Sequence, residues 1–272
     1  MSEGKLHGLN MPDNVAMIEG PIFAFVYLCA FGFCLHKLWT ARFMQSEPKV
    51  MLALSCLILI LEGFFWLVYY LDYPPWLFGV LLFMPKSLEI SLIERLAASW
   101  TSIYKKHLSF VNTEPYNHLA IRISGTVSVV LQLMFLSIYL AIYVGKSETF
   151  FVVIRILIIT TEAIAVPYLI ISAYRLNSII KDYLEPSYTQ KITFIAFMTS
   201  VCCVIRFIIG LIFILKREGD LKAIEDDWFY WVIVATVQIY AVASIAFILT
   251  VTSILVTKRK SKTFIVRELE SC

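Results

Sequence analysis

Charge is scarce in this chain. Asp, Glu, Lys and Arg make up 16% of its 272 residues, against 60% hydrophobic residues. A soluble domain of this length does not need so much apolar surface. The composition is that of a polytopic membrane protein, whose helices face lipid as well as one another. Histidine is scarcer still: His7, His36, His107 and His118 all fall in tails, loops or helix ends. No H-E-x-x-H, HxxHH or other clustered ligand set exists, so membrane zinc or di-iron chemistry lacks its ligands. No G-x-S-x-G and no CxxC is present. An enzyme is therefore not expected, and neither a catalytic residue nor a cofactor is assigned. Gly/Ser-rich linkers, repeats and low-complexity segments are absent as well, which leaves one membrane domain and no soluble one.

What the chain has in abundance is long apolar runs. A spanning helix needs about 20 mostly apolar residues. Seven stretches qualify, near 17–38, 50–71, 76–104, 120–144, 150–174, 192–215 and 229–256. The third is long enough to tilt or to extend beyond the bilayer. The connection Asp72 to Pro75, DYPP, predicts a tight turn. The expected layout is a tail over 1–16, a bundle over 17–256 and a basic tail over 257–272. No cleavable signal peptide is seen, and the first span is expected to act as an uncleaved anchor.

Basic residues set the orientation, because cytoplasmic loops carry excess Lys and Arg. One side holds Lys37, Arg42, Lys49, Lys105, Lys106, Arg175, Lys181, Lys191, Lys258, Arg259, Lys260, Lys262 and Arg267. The other holds Lys5, Lys146, Lys216, Arg217 and Lys222. The bias predicts an all-α, seven-transmembrane bundle with the N-terminus outside and the C-terminus in the cytosol. That is the topology of G-protein-coupled receptors, though not theirs alone. The tail TKRKSK, Thr257 to Lys262, is expected to meet anionic lipid headgroups. No nucleic-acid partner is expected.

The third span contains SLIERLAASWTSIYKKH, Ser91 to His107. In this orientation Glu94 and Arg95 lie in its inner half, where many receptors hold a charged latch. Physically, an acid neutralises the arginine at rest, and the released arginine turns toward a cytoplasmic partner. The plainer reading is an arginine that snorkels to the headgroups beside a locally paired acid. The stretch resembles the third-helix signature of nematode serpentine chemoreceptors of the Sra/Srb/Sre group, and is most similar to class epsilon, Sre. A second resemblance lies in AYRLNSIIKDYLEPSYTQKITF, Ala173 to Phe194, where Asn177, Tyr188 and Gln190 stand in comparable places. With the seven-span layout the resemblance covers nearly the whole chain. It implies a chemosensory receptor in the plasma membrane of sensory-neuron cilia, signalling through a heterotrimeric G protein. By position it makes Glu94 and Arg95 the latch. Lys105, Lys106, Arg175, Asn177, Lys181, Tyr188, Gln190 and Lys191 become candidates for the G-protein-facing surface.

Depth locates a ligand site. Glu62, Lys86, Glu89, Glu162, Arg206 and Gln238 lie roughly nine to thirteen residues inward from the outer span ends. At about 1.5 Å per residue they share one outer-half layer. Ionisable groups at that depth should face the bundle interior or a wet cavity. Glu62 with Lys86 and Glu162 with Arg206 are the expected pairs. Pro85 and Pro167 interrupt helix hydrogen bonding nearby and could open space. Trp66, Tyr69, Tyr70, Trp76, Tyr230 and Trp231 ring the mouth. Glu62, Lys86, Glu89, Glu162, Arg206 and Gln238 are the candidates for binding an external small molecule. The competing reading is a set of structural interhelix pairs beneath an ordinary aromatic interface belt.

The remaining absences refine the class. Cys29, Cys34, Cys56, Cys202 and Cys203 lie within spans and Cys272 is last, so the disulfide from helix three to an outer loop common in rhodopsin-like receptors cannot form. The thiols read as small apolar packers. The seventh span has no lysine for a retinal Schiff base and no NPxxY. A channel or transporter using the intramembrane charges is the main alternative. Against it, no repeated half and no filter-like run is seen. A truncated receptor that no longer signals is the third reading.

Overall fold

The protein is described by a computed structural model that covers residues 13–40, 46–71, 75–112, 126–127, 130, 132–134, 137, 149–181, 186–216 and 227–255. Among these residues the fold is all-helical. The long elements are α1 (Asp13–Thr40), α2 (Ser46–Leu71), α3 (Pro75–Asn112), α4 (Thr149–Ile180), α5 (Pro186–Lys216) and α6 (Asp227–Leu255). The expected first, second, third, fifth, sixth and seventh spans each fall on one of them. The expected fourth, 120–144, is described only at the helical residues between 126 and 137. The DYPP turn falls outside the described residues except for Pro75, which begins α3.

Each helix runs further than its apolar stretch. Proline suits the first helical position, where the missing N–H is no loss, and Pro75 and Pro186 occupy it. Glu47 lies in the first turn of α2 and Lys37 in the last turn of α1, both complementing the helix dipole. The Thr40 hydroxyl donates to the Lys37 carbonyl at 3.0 Å, satisfying one terminal acceptor. Hydroxyls along the helices also close on their own backbone. Thr160 faces outward, and its Oγ1 donates to the Ile156 carbonyl at 2.7 Å. A hydroxyl against lipid needs such a partner.

The helices form a ring in chain order, closed by α6 against α1 and α2. Cross-helix contacts give the directions. Glu47 meets Arg95 and Glu62 meets Lys86, so α2 and α3 are antiparallel. Thr101 Oγ1 and Ser172 Oγ lie 2.9 Å apart, while Glu89 and Glu162 share one arginine. Residue numbers rise together there, so α3 and α4 run parallel. Gln132 bridges two serines of α3, accepting from Ser87 at 2.9 Å and donating to Ser91 at 3.0 Å.

Five helices carry segments long and apolar enough to cross a membrane: Ile18–Thr40, Glu47–Leu67, Ile156–Ile179, Pro186–Ile208 and Ala235–Leu255. Helix α3 is not among them, although it is the longest. Its Lys86, Glu89, Glu94 and Arg95 lower its apolarity. The reason is its place: nearly every described residue from Pro85 to Ala98 is buried or half-buried. It is solvated by protein, not by lipid. The outside of the ring is apolar and exposed, with Phe25 at 68% and Ile164 at 70%. Hydrocarbon is the solvent such a surface fits, and the fold is that of an all-α membrane-embedded protein.

Helices in lipid gain little from apolar burial, so close packing has to hold them together. Small residues make that possible. Ala97 and Ala98 on α3, with Ala165 and Ala173 on α4, are all buried. We predict that Ala97→Leu overpacks the centre and costs about 1–3 kcal/mol. The outward Val242→Leu should stay within about 0.5 kcal/mol. Thermal unfolding of the purified variants in detergent checks both.

Candidate functional site

Arg206 on α5 sits at the centre of a buried charge layer. Its Nη2 pairs with Glu89 Oε2 of α3, and its Nη1 is ion-paired with Glu162 Oε1 of α4. The same guanidinium reaches the Tyr240 hydroxyl of α6, from Nη2 at 2.6 Å and from Nε at 3.2 Å. That hydroxyl accepts from the arginine and donates to Glu89 Oε2 at 2.9 Å. Ser244, one turn along α6, lies 3.4 Å from Glu89 Oε1. Four helices therefore converge on one guanidinium.

Lys86 and Glu62 extend the layer to α2, as a third ion pair. Lys86 is three residues before Glu89 and so lies on the same side of α3. Its Nζ stands 4.2 Å from the centre of the Tyr240 ring, and Arg206 Cζ stands 4.9 Å from it. The phenol thus carries two cations near its ring as well as its hydroxyl contacts. Closer to α1, Gln238 Nε2 donates to Glu19 Oε1. Two carboxylate oxygens, Glu19 Oε2 and Glu162 Oε2, are buried with no hydrogen-bond partner among the described residues.

Both pairs expected from depth, Glu62 with Lys86 and Glu162 with Arg206, are present. Glu89 joins the second of them. Gln238 stands apart from the cluster, on Glu19. Four contributors escaped the depth argument. Tyr240 and Ser244 read as ordinary members of an apolar run. Glu19 lies so near the start of its span that it reads as a tail charge. Gln132 carries no charge to draw notice. The spacing of Tyr240 and Ser244, one turn apart and both buried, was the available signal.

Trp66 departs from its expected place at the mouth. It is 3% exposed and stacks on Phe23, with ring centres 4.7 Å apart and planes at 27°. It belongs to the core between α1 and α2, not to an interface belt. The side chains of Tyr69, Tyr70, Trp76, Tyr230 and Trp231 lie outside the described set. Pro85 is buried within α3 and Pro167 faces outward from α4, and both helices continue through them. A cleft of about 410 Å³ opens on the seam of α1 and α6, lined by Val26, Cys29, Ala30, Phe33, Ile245 and Leu249. It is apolar, and none of the charged layer lines it.

A second polar region lies toward the other end of the bundle. Arg95 Nη1 is 3.4 Å from Glu47 Oε2 on α2. The acid met here is from another helix; adjacent residues such as Glu94 and Arg95 project from a helix in different directions. Glu94 is half-buried. Of the candidates for a partner-facing surface, Lys105, Arg175, Lys181 and Gln190 are exposed, and Asn177, Tyr188 and Lys191 are half-buried. The side chain of Lys106 lies outside the described set. Arg175 Cζ stands 5.9 Å from the Tyr104 ring centre, and Lys191 Nζ 5.8 Å from that of Tyr188. Asn177 Nδ2 donates to Thr193 Oγ1 at 3.1 Å, tying α4 to α5. These residues share one end of the bundle. The basic tail after residue 256 and the segment around Asp220 fall outside the described residues.

Compared with known protein families and curated proteins, the chain matches no family model and no curated sequence. The geometry of the two polar regions therefore carries the functional reading.

Removing one member of a buried ion pair leaves its partner uncompensated, at about 3–5 kcal/mol. We predict that Arg206→Met loses stability of that order. Adding Glu89→Gln should restore part of it, with a coupling of about 0.5–3 kcal/mol in a double-mutant cycle. Unfolding midpoints of the two single variants and the double variant in detergent measure this.

Proposed function

We propose that this chain is a seven-transmembrane chemosensory receptor. It binds an external small molecule in the charged layer and signals through a heterotrimeric G protein. The observation that carries the reading is the layer itself: α2, α3, α4, α5 and α6 all place polar side chains in one buried set of contacts. A ligand that changes how those groups share their charges acts on five helices together.

The parallel run of α3 and α4 supports seven spans. Parallel neighbours need a connection that returns the length of the bundle, and the sequence between α3 and α4, residues 113–148, is long enough to include a span. Gln132 sits level with Ser87 and Ser91, partway between the end where α3 stops and the end where α4 starts. The basic residues on one side of the span pattern support an external N-terminus and a cytosolic C-terminus. Resemblance to nematode serpentine receptors of the Sra/Srb/Sre group, class epsilon, adds the chemosensory role. It also adds the location in the plasma membrane of sensory-neuron cilia. Glu94 and Arg95 are then the inner latch, with Glu47 of α2 as a further partner of the arginine, beside a G-protein-facing surface built from Lys105, Lys106, Arg175, Asn177, Lys181, Tyr188, Gln190 and Lys191. The mechanism is a population shift: ligand favours a state in which the inner ends of α3, α4 and α5 admit the G protein.

Topology is the deciding experiment. Tags on the C-terminus and near Asp220 are tested for antibody access in intact and permeabilised cells. We expect an external Asp220 tag and an internal C-terminus. An external C-terminus would put Arg95 on the wrong side and favour an inverted seven-helix channel. Within the receptor reading, Glu47→Gln should raise ligand-independent nucleotide exchange by up to about fivefold. A part-exposed pair contributes about 1 kcal/mol or less. Unchanged basal exchange at normal surface expression would remove the latch.

A further inference from the structure

Among the described residues, three buried carboxylates face two cations in the layer. Glu62, Glu89 and Glu162 are each 2% exposed or less. The cations they meet are Lys86 and Arg206. One negative charge is left over. The contacts show where it falls. Lys86 serves Glu62. Glu89 receives Arg206, the Tyr240 hydroxyl at 2.9 Å and Ser244 at 3.4 Å. Glu162 shares Arg206 through Oε1, and its buried Oε2, like Arg206 Nη1 beside it, has no hydrogen-bond partner among the described residues. The deficit is at Glu162.

A second carboxylate repeats the pattern. Glu19 holds the neutral amide of Gln238 through Oε1, and its Oε2 is buried without a hydrogen-bond partner. An amide does not neutralise a carboxylate. Aromatic faces accompany these acids. Phe23 lies one turn from Glu19 on α1, and Trp66 one turn from Glu62 on α2. Those two rings stack on each other. Buried carboxylates favour positive charge by direct attraction. Among the described residues no three His, Cys, Asp or Glu side chains are grouped to hold a metal ion. The acceptors here suit N–H donors.

We infer that the ligand of this layer is a small organic cation, a protonated amine whose N–H group donates to Glu162 Oε2 and supplies the missing positive charge. The inference rests on the reading of the layer as a ligand site. It sets the chemical class of that ligand: a neutral or anionic molecule leaves Glu162 uncompensated. The amine should also strengthen the bundle, because it removes an unbalanced charge from a medium of low dielectric.

The test uses the full chain in lipid nanodiscs, with butylammonium chloride, butanol and sodium butyrate as probes at equal ionic strength. Butylammonium should raise the unfolding midpoint saturably, and the other two should not. Glu162→Gln should weaken the apparent affinity for butylammonium by more than about tenfold. If that variant does not fold, the three-probe comparison in the unmodified chain decides alone. Equal shifts from butylammonium and butanol would mean partitioning into the lipid and would overturn the inference. So would no shift, since a bound proton then fills the deficit. A full shift in folded Glu162→Gln would overturn it too. The readout needs no G protein. A saturable amine shift in a chain that couples to none supports the cation site and counts against the receptor. A missing shift in a chain that does couple counts against the cation site alone.

Discussion

An arginine inside a membrane bundle must find its counter-charge among the neighbouring helices, because hydrocarbon offers none. Arg206 finds two. Its planar fork reaches Glu89 on α3 and Glu162 on α4 while also meeting the Tyr240 hydroxyl on α6. A lysine would hold the three less firmly, since its ammonium is a compact charge with no fixed fork. The contact sets the relative height and rotation of four helices. Sliding any one by a turn would strand a buried charge. Apolar packing in lipid has no such specificity, so the bundle's register depends on this one group more than on its larger hydrophobic core.

That dependence explains the odd composition of α3. A helix that supplies Lys86 and Glu89 to one set of neighbours and Ser87 and Ser91 to another cannot face lipid. It must turn that stretch inward, and every residue from Pro85 to Ala98 is buried or half-buried. Its small residues Ala97 and Ala98 then let neighbours approach closely beyond the charged layer. The same placement leaves it less apolar than the other five long helices, each of which carries a segment apolar enough to cross a membrane. Low hydropathy here marks the interior of the bundle.

Depth along each helix was legible in the sequence, and depth is what paired Glu62 with Lys86 and Glu162 with Arg206. Bilayer length imposes it, so it survives without knowledge of packing. Rotation about each helix axis was not legible. That is why Glu89 was placed in the layer but not on Arg206, and why Trp66 was expected at the mouth yet stacks on Phe23 in the core. Glu47 was missed for a related reason. It lies outside the apolar stretch, and only the extension of α2 back to Ser46 brings it alongside Arg95. Uncharged partners such as Gln132 and Tyr240 leave no trace in a search for intramembrane charge.

The two polar regions of α3 differ in kind, and the difference suits transmission. Glu89 is fully buried in a network with few alternative arrangements, so a change there is discrete. Arg95 lies six residues further along, about 9 Å at the rise of a helix. Its contact with Glu47 is long at 3.4 Å, with side chains 18% and 35% exposed. Such a pair opens at little cost. A shift of α3 driven at Glu89 need only overcome the weak contact to free Arg95, whereas opening Arg95 from its own end barely perturbs the buried network. Two-way binding linkage still holds. On the receptor reading, these energy scales fit a ligand acting in the charged layer and a partner answering at the arginine. That is the direction in which an external ligand has to act.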